Sequence, residues 1–483
     1  MNRHLLDSSV RRAGDDGVVL IGGSPLVLMR LTTAGSVLLD RIQNGEPIAP
    51  TPATTALVDR LVDCGILHPC PLIGSGPSPG DVTVVIPAFG TDAATLVAIV
   101  AGCPGVAAVI VVDDASRRPI APVVGATVIR HECNRGPGAA RTTGLAATTT
   151  PYVAFVDADV IVTAGWLDGL LAHHADDRVA LVAPRVVSTA GPGRLARYES
   201  VRSPLDLGPA IARVRAGTRV SYVPSAAILC RVKALRGLEG VAGFDARLRF
   251  GEDVDLVWRL DEAGWQIRYA PGVIVHHEPR ATWRGWMAQR AHYGGSAAPL
   301  AARHPGALAP VRVSRWSAAT WLAIAAGWPL LGGLISVATT AALARRLRTV
   351  PGGRRIALRL AGLGHLYAGR SLAAGVTRSW WPFAVVAAVA SHRARRAVIA
   401  AAAIPAIIDW VRTRPPLDLA TYVGLRIVDD ASYGAGLVAG AVRARSLDAL
   451  RPDFSSWPNR PTGTRTSRPG PKQPDETRLP AAH

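Results

Sequence analysis

An α/β core built on a mostly parallel, Rossmann-like sheet is the fold class predicted for this 483-residue chain, and three observations predict it. Apolar runs of strand length alternate with a helical segment at 81–89, 92–101 and 109–116. Such alternation calls for right-handed crossovers between parallel strands. The first run is stopped by Pro87 and the second by Asp113 and Asp114, and a third run, 152–162, is apolar apart from Asp157 and Asp159. In open sheets of this kind ligands bind beyond the carboxyl ends of the strands. Pro87, Asp114, Asp157 and Asp159 therefore converge on one site.

The most informative of these elements is the pair Asp157 and Asp159. Strand side chains alternate, so an i, i+2 pair projects to one face. An unpaired carboxylate is costly in apolar surroundings, and two oxygen donors suit a hard divalent cation that also holds substrate phosphates. The plain alternative ends the strand at Asp157 and leaves both acids solvated in a turn. Next, Asn134-Arg135-Gly136-Pro137-Gly138-Ala139-Ala140-Arg141 sets a glycine loop before a short helix, where backbone amides favour phosphate. It lacks the third glycine of a dinucleotide fingerprint, which excludes a nicotinamide reading. From Asp253 onward, Val254, Val257, Trp258 and Leu260 fit a helix buried on one face. Glu252 and Asp253 then lie in its first turn, where negative charge suits the helix dipole. A further apolar strand, 272–277, ends in His276 and His277. Either is a candidate metal ligand or an ordinary satisfied histidine.

From about residue 82 to about residue 299 these motifs resemble, in order, those of the family 2 glycosyltransferases, which have the GT-A fold. The resemblance implies that Pro87 and Asp114 line a nucleotide pocket, that Asp157 contacts the nucleoside and that Asp159 binds a divalent cation, Mg²⁺ or Mn²⁺, with His276 as a further ligand. It implies that Asp253 is the catalytic base of an inverting transfer from a nucleotide sugar. The Gln-x-x-Arg-Trp motif of processive polysaccharide synthases is missing, and Pro279-Arg280-Ala281-Thr282-Trp283-Arg284-Gly285-Trp286 stands in its place, which argues against cellulose-type synthesis. A glycosidase also pairs two carboxylates, but it does not need nucleotide-site residues on the preceding strands.

Net charge is +19, which calls for an acidic partner surface, nucleic acid or anionic lipid. The distribution favours lipid. No Asp or Glu occurs between Pro279 and Ile408, whereas arginines recur throughout. The stretch 316–344 is uncharged for about 29 residues, longer than the roughly 20 that span a bilayer. The stretches 371–391 and 397–408 are also apolar, apart from Arg378. Arg345, Arg346, Arg348, Arg354, Arg355 and Arg359 mark a cytoplasmic linker. The expectation is a helical membrane-associated region over 301–450, with the catalytic domain on the cytoplasmic side of the cell membrane and no nucleic-acid partner. A helical hairpin, a re-entrant segment or interfacial helices all fit, and the plain alternative is a soluble alanine-rich helical domain packed on the catalytic domain. No cleavable signal is evident at the start. Cys64, Cys70, Cys103, Cys133 and Cys230 form no metal or redox spacing and read as reduced thiols.

Residues 1–72 form their own unit, closed by a Gly/Ser/Pro linker at 73–81. A hairpin around Gly22-Gly23-Ser24-Pro25, a helix capped by Thr32 or Thr33, and a second helix from Pro52 to Cys64 suggest a small winged-helix-like domain. The runs Leu31–Leu39 and Leu61–Leu67 resemble the peptide-binding chaperone domain of the pyrroloquinoline quinone pathway. In that class a peptide adds to the exposed hairpin edge. The helix of a DNA reader is basic, whereas this one carries Asp59, Arg60 and Asp63. The combined layout, with the catalytic domain at 82–300, resembles the glycosyltransferases of peptide-derived redox cofactor assembly. This implies a peptide-derived precursor as acceptor and glucose added through β-1,4 links. The alternatives are a cell-envelope glycosyltransferase with a polyprenyl or glycan acceptor and a non-catalytic peptide- or DNA-binding protein. Residues 451–483 are rich in Pro, Arg, Thr and Ser and read as a disordered tail.

Overall fold

The computed structural model describes residues 3–14 and 17–454; most of the expected tail at 451–483 lies outside the described residues. At the front come β1 (Arg3–Leu6), β2 (Arg11–Ala13), β3 (Val19–Gly22), β4 (Val27–Arg30), α1 (Thr33–Gln43), α2 (Pro52–Asp63) and β5 (Leu67–Cys70). Strands β2, β3 and β4 form a meander, and β1 pairs with β5. Thr32 caps α1 by accepting from the Gly35 amide, and Thr51 caps α2 reciprocally with Thr54. Leu20, Leu39, Leu61 and Ile66 close a small separate core.

This front unit is fastened on two sides. Asp7, buried, accepts from His68 and from Arg219 of the next domain, each at 2.8 Å, and Asp63 takes Arg213 at 2.6 Å. Burial opposes the charge of Asp7, yet His68, Arg219 and Ser9 hold its carboxyl well below the usual range. On its other side Val19 and Ile21 pack with Ile356 of the C-terminal helices.

The central domain runs β6 (Val82–Ala88), α3 (Ala93–Ala101), β7 (Ala108–Asp113), β8 (Thr127–Arg130), α4 (Pro137–Ala147), β9 (Tyr152–Val156), β10 (Val160–Val162), α5 (Trp166–Leu171), β11 (Val179–Ser188), α6 (Arg194–Arg202), β12 (Ala212–Arg213), β13 (Ala227–Arg231), α7 (Val232–Arg236), α8 (Glu252–Glu262) and β14 (Gln266–His277). Its sheet has the order β10-β14-β11-β13-β9-β6-β7-β8, with β12 on the side of β14. Strands β8, β7, β6 and β9 are all parallel, as the strand–helix–strand reading requires. Strands β11 and β14 are parallel too, but β13 runs antiparallel between β9 and β11.

Strand alternation divides the core into two layers. Val85, Val153 and Phe155 face one side with Leu256 and Trp258 of α8. Val84, Ile86, Ala154 and Val156 face the other with Trp166 and Leu170 of α5. Four parallel strands ending together thus place Pro87, Asp114 and Asp157 along one rim.

Behind the sheet lie α9 (Trp283–Gly295), α10 (Ala297–Arg303), α11 (Arg315–Ala325), α12 (Pro329–Arg346), α13 (Gly353–Ala374), α14 (Trp381–Ala390), α15 (His392–Thr413) and α16 (Leu419–Ala444). The apolar stretch 316–344 is not one helix. Gly327, at φ +91°, and Pro329, in the first turn of α12, break it, because proline has no amide to continue the ladder. Among the described residues no single helix is long and apolar enough to cross a membrane. The segments Gly353–Ser379 and Trp381–Ala390 pass that test only as a pair bent by 93°.

Helix α16 lies against α9 through glycines. A Cβ on Gly436 would sit 1.8 Å from the Ala291 carbonyl oxygen, and one on Gly294 would sit 2.0 Å from that of Tyr433. Below this crossing the Arg290 guanidinium pairs with Glu199 of α6 and, at 2.8 Å, with Asp429 of α16. Trp286 Nε1 donates to Glu199 at 2.7 Å. These contacts make the helices a wall of the catalytic domain. Gly436→Val should force α9 and α16 apart and destabilise the protein by about 2 kcal/mol. Chemical denaturation measures this, and an unchanged midpoint would show that the crossing bears no load.

Candidate active site

A cleft of about 780 Å³ opens at the rim of the parallel strands. Pro87, Asp114, Asp157, Asp159 and Asp253 all line it, as do Gly136, Arg141, Glu252, His277 and Arg280. Five of the six residues singled out from the sequence therefore share one cavity. The sixth, His276, does not line it. Strand β14 pairs with β10 so that Val160 faces His277 and Ile161 faces His276. Neighbouring strand residues point to opposite faces, so only one imidazole of the pair reaches the cleft. His277 Nε2 lies 3.3 Å from Asp159 Oδ2.

The carboxylates reach the cleft by a different local route from the one expected. Strand β9 ends at Val156, and Asp157-Ala158-Asp159 forms a turn closed by the Val160 amide donating to the Asp157 carbonyl. Both acids are only partly exposed, and each is paired. Asp157 Oδ1 accepts from Arg141 NH2, and Asp159 Oδ2 lies 3.5 Å from Arg280 as well as beside His277. Although burial works against its charge, His277 and Arg280 hold Asp159 below the ordinary carboxylate range. Burial, with Asp159 as a like-charged neighbour, lifts Asp157 despite Arg141.

Asp114 is a structural clamp at the mouth. Its two oxygens accept from the Arg135 and Gly136 amides at 2.9 and 2.7 Å, and His131 Nδ1 lies 2.7 Å away. The Asn134–Gly136 loop is thereby fixed as a wall. Gly136, at φ +90°, starts α4, and a side chain there would be strained. One turn on, Arg141 leaves α4 into the protein interior and donates to Glu252 Oε1 at 2.9 Å as well as to Asp157. Arg141 joins the strand end to the start of α8.

Helix α8 begins at Gly251, whose φ of +79° turns the chain so that Glu252 and Asp253 sit in the first turn. Asp253 Oδ1 accepts from the Val254 amide at 2.8 Å and Oδ2 from the Ser225 amide at 3.3 Å. Burial nevertheless raises its pKa. Tyr222 and Tyr293 line the cleft nearby. The Tyr222 phenol is pushed up to about 12 by burial and by the charge of Asp253. Phe250 and His292 stack at 4.3 Å on the same wall.

A divalent cation fits part of this site. Asp159 and His277 supply one hard oxygen and one nitrogen at the turn. Among the described residues no three His, Cys, Asp or Glu side chains could hold an ion by themselves, so a cation here would need further ligands from substrate phosphates and water. The sequence offered both histidines, and the resemblance picked His276 where the structure brings His277 to the cleft. The residues missed are Arg141, Tyr222 and Tyr293, of which only Arg141 left a local signal, a cation one turn beyond a glycine loop.

Glu252 gives the site a pH signature. Burial and the adjacent Asp253 outweigh Arg141 and push its pKa up to about 7 from 4.5. Between those values the folded state binds a proton that the unfolded chain has released, so this group makes stability fall as pH rises through the window. Glu252→Gln should therefore flatten the stability profile between about pH 4.5 and 7. Thermal unfolding of both proteins across that range checks it, and an unchanged slope would reject the assignment.

The model for the family "Glycosyl transferase family 2" matches residues 83–237. A pre-mycofactocin glycosyltransferase from Mycobacterium tuberculosis (strain ATCC 25618 / H37Rv) is 44% identical over 466 residues, which is 93% of this chain and 97% of the relative. The succinoglycan biosynthesis protein ExoU of Rhizobium meliloti (strain 1021) is 32% identical over 199 residues, 38% of this chain and 57% of that protein. A mannosyltransferase from Pyrobaculum calidifontis, solved with GDP-Man and Mn²⁺, overlays only weakly, with a TM-score of 0.35 and 20% identity over 61% of this chain and 90% of that one. Identity sustained along nearly all of both chains decides the matter: the chain belongs to glycosyltransferase family 2, among the pre-mycofactocin glycosyltransferases.

Proposed function

We propose that the protein transfers glucose, through β-1,4 links, from a nucleotide sugar to the peptide-derived redox cofactor precursor pre-mycofactocin. The observation that carries the reading is the cleft in which Asp253 shares walls with the Asp157–Asp159 turn, taken together with the family. Asp253 is the general base. The Val254 and Ser225 amides orient its carboxylate, and burial makes it more basic than a solvated aspartate. A base held this way can take the proton of an acceptor hydroxyl as that oxygen attacks the anomeric carbon. One displacement inverts the configuration, so an α-linked donor yields a β-glycoside.

The opposite wall receives the nucleotide. The loop clamped by Asp114 and the side chain of Pro87 bound the base and ribose, while Asp157, fixed by Arg141, faces the nucleoside. Asp159 with His277 would hold Mg²⁺ or Mn²⁺, whose chemistry there is to neutralise charge on the departing diphosphate. Arg280, half exposed beside Asp159, adds positive charge at the same place. The front unit supports a peptide-derived acceptor through its likeness to a peptide-binding domain. Its ion pairs to Arg213 and Arg219 favour a second, structural part for it as a cap on the enzyme.

The test uses purified protein, UDP-glucose and pre-mycofactocin, with products followed by mass spectrometry. Asp253→Asn should lower transfer by about 10²–10⁴-fold while nucleotide binding in Mn²⁺ is kept. Asp159→Ala should lose the Mn²⁺-dependent part of that binding, read by calorimetry. Full transfer by Asp253→Asn would remove the assigned base, and hexose addition to a polyprenyl phosphate in preference to the precursor would replace the acceptor.

A further inference from the structure

The C-terminal helices have their polarity reversed. Among the acids of α11–α16, Asp409, Asp429 and Asp430 are buried, and each is matched by arginine, Asp429 by Arg290 of α9. Asp409 pairs with Arg370 at 2.6 Å and with Arg426 at 3.4 Å, and Asp430 pairs with Arg426 at 3.2 Å and with Arg378 at 3.4 Å. Apolar side chains face outward instead. On α12 these are Leu330, Leu334 and Val337; on α14 Phe383, Val386 and Val389; on α15 Ile404, Ile408 and Val411. Spacings of three and four residues put each set on one face of its helix. Leu330 is 89% exposed and Val389 81%. Monomeric soluble proteins rarely leave so much contiguous apolar surface in water.

The charges left over identify what covers it. Arg345, Arg346, Arg348, Arg354 and Arg355 are exposed around the α12–α13 turn. Arg393, Arg395 and Arg396 are exposed at the start of α15, and Arg412 and Arg414 at its end. Asp418 alone among the acids of these helices is exposed, and it caps α16. Between its two arginine groups α15 has an apolar middle of 12 residues, 397–408, about 18 Å long. That is well short of the roughly 30 Å hydrocarbon core. A helix with cations at both ends and an apolar centre lies along an interface, its guanidinium groups reaching headgroups on either side. Trp316, Trp328 and Tyr367 are each more than 60% exposed, and such rings partition to headgroup level.

We propose that α12–α15 form a monotopic anchor that enters one leaflet of a bilayer and selects anionic phospholipid through its arginine rim. A protein partner with a purely acidic rim and an apolar face would match the charge as well, but it would not explain arginine groups at both ends of α15 around an apolar middle too short to cross a bilayer. The anchor holds the sugar-transfer cleft beside the membrane, because α16, packed on α9 and α15, contributes Tyr433 to that cleft.

The full chain should sediment with vesicles of mixed phosphatidylcholine and phosphatidylglycerol and bind phosphatidylcholine alone far more weakly. The triple variant Arg393→Gln, Arg395→Gln, Arg396→Gln should lower partition into the mixed vesicles by about 100-fold. Val386→Asp with Val389→Asp should abolish insertion while the thermal unfolding midpoint is kept. Equal binding to both vesicle types would overturn the anionic preference. Labelling of a cysteine introduced between α14 and α15 by a membrane-impermeant maleimide sealed inside the vesicles would mark a spanning chain and overturn the monotopic arrangement. A dimer without lipid that the Val386→Asp, Val389→Asp variant dissociates would give the face to a second copy instead.

Discussion

The structure depends on the buried guanidinium of Arg141. It lies between Asp157, at the end of a central strand, and Glu252, at the start of α8. Four carboxylates, Asp157, Asp159, Glu252 and Asp253, line one cleft, and taking that many from water without a cation would be prohibitive. Arg141 compensates part of the charge from within, while His277 and Arg280 compensate Asp159 from the rim. The raised pKa values of Asp157, Glu252 and Asp253 are what remains unbalanced. Under the proposed mechanism, the same desolvation would make Asp253 a stronger base.

Much of this was legible in the chain because it is local. Strand runs ending in Pro87 and Asp114, a glycine loop before a helix, and acids in the first turn of α8 follow from short-range rules, and the fold keeps them. The Asp157–Asp159 pair was found for a partly wrong reason. The strand stops at Val156, and it is a turn that carries both acids to the cleft. His276 and His277 could not be told apart, since their parity depends on pairing with β10, more than a hundred residues earlier. The partners of Arg141 lie 16 and 111 residues away, and no local pattern points to them. Likewise, Gly327 and Pro329 were visible in an apolar stretch, yet whether they break a helix or bend it depends on what packs beside them.

The C-terminal helices solve a different problem with the same means. Their few acids are buried against arginines of α6, α9, α13, the turn at 375–379 and α16, beside small apolar clusters such as that of Tyr198, Trp286, Tyr422 and Leu425. Such pairs contribute little net stability but penalise wrong arrangements. With the polar groups used inside, apolar side chains are left outside, and glycines on α9 and α16 let this region press closely onto the catalytic domain. The cleft therefore has one wall from the sheet and another from the helices.

If Arg141 joins the nucleotide side to the acceptor side, its effect must not be separable from that of its partner. A double-mutant cycle of Arg141→Met with Asp157→Asn, read as kcat/KM for hexose transfer, measures this directly. The account predicts strong non-additivity, with a coupling of about 2 kcal/mol and the double variant little worse than Arg141→Met alone. Simple additivity of the two losses would contradict it.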